Sequence, residues 1–109
     1  MREIDIVRHT ILQFCSEFVQ DPYLCYTEHG QHALFYTMLY NALPEQQRYA
    51  TLHGNKLCVV QKEYPTAGNL GKPQRQHWDI AVIQTPPEGI GTEPQVYDYL
   101  KLTAAVEFG

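Results

Sequence analysis

The spacing of apolar residues changes once along this chain, and that change restricts the fold more than any other feature. From Ile4 the apolar positions Val7, Ile11, Phe14 and Phe18 recur every three or four residues and draw one stripe down a helix, expected over Ile4 to Val19. Pro22 ends it. A second helix is expected from Glu28 to Leu43, with the Thr27 hydroxyl capping its free amides and Leu34, Phe35, Met38, Leu39 and Ala42 as its buried face. Pro44 stops that helix, and "PEQQRYA" adds a short turn. After "HGN" the texture changes: "KLCVVQKEY", "HWDIAVIQ" and "KLTAAVEF" are short runs rich in aromatic and β-branched residues, which read as three strands. The loops between them, "PTAGNLGKPQRQ" and "TPPEGIGTEPQVYD", are too short for a confident crossover helix, so neighbouring strands should pair antiparallel in sequence order. The expected fold is α+β, two N-terminal helices packed on a three-stranded, mainly antiparallel sheet in a single domain over residues 1–109.

Charge and cysteine usage narrow the function. A net charge of −4 argues against a general nucleic-acid binder, although Lys56, Lys62, Lys72 and Arg75 stand against the single acid Glu63 in one locally basic stretch. Lys72 and Arg75, among the glycines of "TAGNLGKPQRQ", are the candidates for touching a phosphate backbone. Cys15, Cys25 and Cys58 are odd in number with no CxxC spacing, which fits a reducing cytoplasm better than a disulfide framework. No apolar run is long enough to span a bilayer, so no membrane association is expected.

Two carboxylates stand where a strand would more cheaply carry an apolar or neutral residue. By the period of two, Asp79 shares a face with Ala81 and Ile83, and Glu107 shares one with Thr103 and Ala105. Antiparallel pairing would bring the start of one strand beside the end of the other and make the two acids neighbours. Adjacent carboxylates repel unless a positive charge lies between them, and a hard cation such as Mg²⁺ or Mn²⁺ takes this kind of oxygen ligand. The competing reading is a solvated sheet face.

A helix with an acid at its start, a hairpin, a strand bearing Asp and a strand ending in "VEFG" together resemble the PD-(D/E)XK, or restriction-endonuclease-like, nuclease superfamily, over about Thr27 to Gly109. The resemblance implies a truncated version of that core, either a fragment of a longer nuclease-like protein or a pared-down fold, with Glu28 as the helix acid, Asp79 and Glu107 as metal-binding carboxylates, and the Phe108 carbonyl as a further ligand. It implies Mg²⁺-dependent cleavage of nucleic acid, DNA in the first instance. Gly109 stands where the superfamily has its lysine, a departure that leaves charge on the phosphorane unanswered unless another cation substitutes; Lys62 is the candidate. Asp79 and Glu107 are also 28 positions apart (107 − 79), which makes "PPEGIGTEPQVYDY" an insertion. The alternative is a catalytically inactive nuclease-fold domain that binds nucleic acid or a protein. A third reading is a small α+β interaction domain without this kinship, and a homodimer is compatible with any of them.

Other constellations are weaker. His29, His32, His53 and Cys58 match no known zinc-finger spacing. Tyr26, Tyr36 and Tyr40 around the second helix can stack on bases but more often pack between helix and sheet. Ser16, the only serine, lies on the first helix, and "GIG" and "GNLG" lack the remainder of a phosphate loop.

Overall fold

The computed structural model describes residues 2–65, 77–89 and 100–108. The first helix, α1, spans Glu3–Gln20 and buries Ile6, Val7, Thr10 and Phe14, with Ile11 and Phe18 partly covered. Buried Thr10 satisfies its hydroxyl by donating to the Ile6 carbonyl at 2.8 Å, one turn back. The second, α2, spans Glu28–Ala42, and the Thr27 hydroxyl accepts from the Gly30 N–H at 3.1 Å as its N-terminal cap. Gly30 lets the cap close in, since a Cβ there would lie 3.2 Å from Thr27 Oγ1. Phe35 and Leu39 are buried as expected, but Ala42 is exposed and His32 takes the place one turn before Phe35. The expected short turn after Pro44 is a 3₁₀ helix over Glu45–Gln47.

Among the described residues five strands form where three were expected. The hairpin of β1 (Tyr49–Leu52) and β2 (Asn55–Cys58) turns through His53 and Gly54, both at positive φ (51° and 79°), the backbone that two-residue hairpin loops require. The run expected as the single strand "KLCVVQKEY" breaks at Val59 because it changes partners there. Its N–H donates to Arg48 O, while its own carbonyl accepts from Ile83 N–H. From Val60 the chain continues as β3 (Val60–Pro65), which pairs antiparallel with β4 (His77–Ile83), and β4 pairs antiparallel with β5 (Leu102–Val106). The order β3-β4-β5 is the sequential one, and the molecule is α+β.

The two helices pack on one another and on this sheet, α2 against β3 and β4 and α1 against β5. Phe14, Phe35, Leu39, Leu43, Val60, Ile80 and Val82 meet in one core. Burying a side chain of this size contributes about 1.5–3 kcal/mol. Ile80 and Val82 therefore fix which face of β4 meets the helices, and with it where Asp79 can stand.

Candidate functional site

Asp79 precedes Ile80 at the end of the paired region of β4. Ile80 lies opposite Val106 in the register, so the next pair of positions outward is Asp79 and Glu107. Asp79 is partly buried, and its Oδ2 accepts the Phe108 N–H at 2.7 Å, a short charge-assisted bond that ties the end of β5 to β4. Glu107 is exposed. The alternation that turns Val106 to the core turns Phe108 the same way, and its ring packs against Phe14 and Phe35 at 5.6 Å between centroids.

The third wall of this corner is the first turn of α2. His32 is 6% exposed, its ring lies 4.5 Å from that of Phe108, and its Nε2 has no hydrogen-bond partner among the described residues. Two carboxylate oxygens stand beyond hydrogen-bond reach of that nitrogen, Glu28 Oε1 at 3.7 Å and Asp79 Oδ2 at 4.0 Å. Glu28, one helical turn before His32, is mostly exposed. The fold thus gathers Glu28, Asp79, Glu107 and the Phe108 main chain at one end of the sheet. It adds His32, for which the sequence offers no role beyond the zinc set.

Lys62 is exposed on β3 opposite Ile80, one step of register from Asp79. Glu63, the position across from Asp79 on that side, adopts φ 54°, and regular pairing resumes only at Tyr64 opposite Trp78. A left-handed backbone at a residue with a Cβ costs about 1–2 kcal/mol. Lys72 and Arg75, as well as Gly109, lie outside the described residues.

Among the described residues no group of three or more His, Cys, Asp or Glu could hold a metal ion, and this applies to Glu28, His32, Asp79 and Glu107 as much as to the zinc set of His29, His32, His53 and Cys58. Two clefts, of about 420 and 320 Å³, lie elsewhere, around Glu3, Gln47 and Thr85. Among the described residues no helix is long and apolar enough to cross a membrane. Comparison with known protein families, with curated proteins and with solved structures found no match.

Proposed function

We propose that this chain is a nuclease-like domain that hydrolyses phosphodiester bonds of nucleic acid with the help of a divalent cation, in a reducing cytoplasm. The observation that supports this most is the β4–β5 register, which sets Asp79 across from Glu107 at the sheet end where Glu28 also stands. The donors fit a hard ion in kind. Two carboxylates and the Phe108 carbonyl make a small oxygen set, and Mg²⁺ accepts one or two carboxylates with water and substrate phosphate completing its shell. When bound, such an ion supplies an activated water and neutralises charge on the phosphoryl oxygens. Asp79 is held in position for this by the Phe108 N–H, and exposed Glu28 is free to orient a water. Lys62 is the cation nearest in register for charge developing on the phosphate.

The same Asp79 bond also favours a second reading. An aspartate already occupied in tying two strands together would survive in a catalytically inactive domain of this fold that only binds nucleic acid.

Thermal melts of the wild type and Asp79→Asn in Mg²⁺, in Mn²⁺ and in EDTA test the cation. Saturation at about 100 times the dissociation constant stabilises by roughly 2.7 kcal/mol, several degrees for a domain of this size. Asp79→Asn should lose that response while keeping an oxygen for the Phe108 N–H. Identical wild-type melts in all three conditions would overturn the cation site. A cation response without cleavage of labelled oligonucleotides would leave the inactive domain.

A further inference from the structure

The ridge of α2 that begins at Glu28 and His32 continues through Tyr36 and Tyr40, each four residues after the last. From Glu28 to Tyr40 it runs about 18 Å at the helical rise of 1.5 Å per residue. Tyr36 and Tyr40 stack with ring centres 6.3 Å apart and planes 12° from parallel. Tyr40 then meets Tyr49 of β1 edge to face at 6.2 Å, with their hydroxyls 2.5 Å apart. Tyr36, Tyr40 and Tyr49 therefore form a file of contacting rings on the ridge whose other end is Glu28 and His32.

Two cations stand on that file. The Arg48 guanidinium lies 4.9 Å from the centre of the Tyr40 ring, and Lys56 Nζ lies 4.8 Å from that of Tyr49. Neither is paired with a carboxylate among the described residues, although the chain as a whole carries a net charge of −4. Arg48 also holds the end of α2 by donating to the Leu43 carbonyl at 3.1 Å, but Lys56 is exposed. Beyond Tyr49, which is 41% exposed, opens the cleft of about 320 Å³ whose other walls include Gln46, Gln47, Thr51 and Thr85. Their amides and hydroxyls offer the donors and acceptors that a base edge requires.

We propose that this file is a track for single-stranded nucleic acid, running from the cleft beside Tyr49 along α2 to the Asp79 corner. It rests on the nuclease reading for its destination. Aromatic faces bind unpaired bases because every base has a π-face, and cations alongside follow the phosphates; a duplex hides the faces that such a surface needs.

The test is fluorescence anisotropy with a labelled twelve-nucleotide oligothymidylate, an oligouridylate and a blunt duplex of equal length, in EDTA and at several salt concentrations. Both single strands should bind more tightly than the duplex. Tyr49→Ala should weaken them about tenfold, and Tyr49→Phe should retain most of the affinity. Lys56→Gln should make the salt dependence of log K shallower by about 0.7 for one lost phosphate contact. Equal affinity for duplex and single strands, or variants with unchanged affinity and salt slope, would overturn the track. Cleavage by a wild type that binds independently of Tyr49 and Lys56 would sink the track and leave the nuclease reading. Single-strand binding through these residues, with no response to Mg²⁺ or Mn²⁺, would keep the track and remove the nuclease.

Discussion

Tyr36 couples the aromatic file to the hairpin chemically as well as sterically. Its hydroxyl lies 3.5 Å from Cys58 Sγ, and burial, reinforced by that hydrogen bond, pushes the phenol up to about 12 from an ordinary 10.0. Between those two values the unfolded chain has released the proton and the folded chain still holds it, so the contribution is complete below pH 10 and is lost as pH rises through about 12. Urea midpoints measured from pH 9 to 12 should fall for the wild type, and Tyr36→Phe, with no proton to lose, should flatten that fall. Tyr49, raised chiefly by its hydrogen bond to Tyr40, leaves a residual slope. His32 illustrates what single residues conceal. It occupies the same helical stripe as Phe35 and Leu39, three and seven positions on, yet the apolar residues alone define the expected buried face and leave it out. Its use followed only from β4 and β5 arriving beside it, through contacts with Asp79 and Phe108 that are far away in sequence.

At the level of elements, helices were read closely because their signals are local. Thr27 caps α2 by its own side chain, and Thr27→Ala should cost about 1 kcal/mol, visible as a lower midpoint in thermal melts by about 4–8 °C. Strands were read less well. The run from Lys56 to Tyr64 has one uninterrupted β-like composition, and nothing in it marks Val59 as the residue where one partner is exchanged for another. The hairpin before it did leave a signal in "HGN", a turn pair flanked by "YATL" and "NKLC", but the unbroken helix-to-turn reading of "PEQQRYA" absorbed β1. Sequential antiparallel pairing, the simplest topology for strands joined by such short loops, is what β3, β4 and β5 adopt, and it carries the register of β4 and β5 as far as Ile80 opposite Val106.

For the whole molecule, the two sheets are not independent. Val59 gives its N–H to the carbonyl of Arg48 and receives the N–H of Ile83 on its own, so a single peptide segment is riveted to both. Arg48 in turn faces Tyr40 and secures the end of α2. Peeling the hairpin away would uncover the Val59 amide and loosen the hydrogen bond from Ile83 at the far end of the strand that begins near Asp79. Deuterium exchange at these two amides should then proceed at matched rates, and a Val59 amide that exchanges much faster than that of Ile83 would show the hairpin opening by itself. Mechanically the hairpin is a handle: a force on Tyr49 would load the central strand through Val59 and the end of α2 through Tyr40 and Arg48.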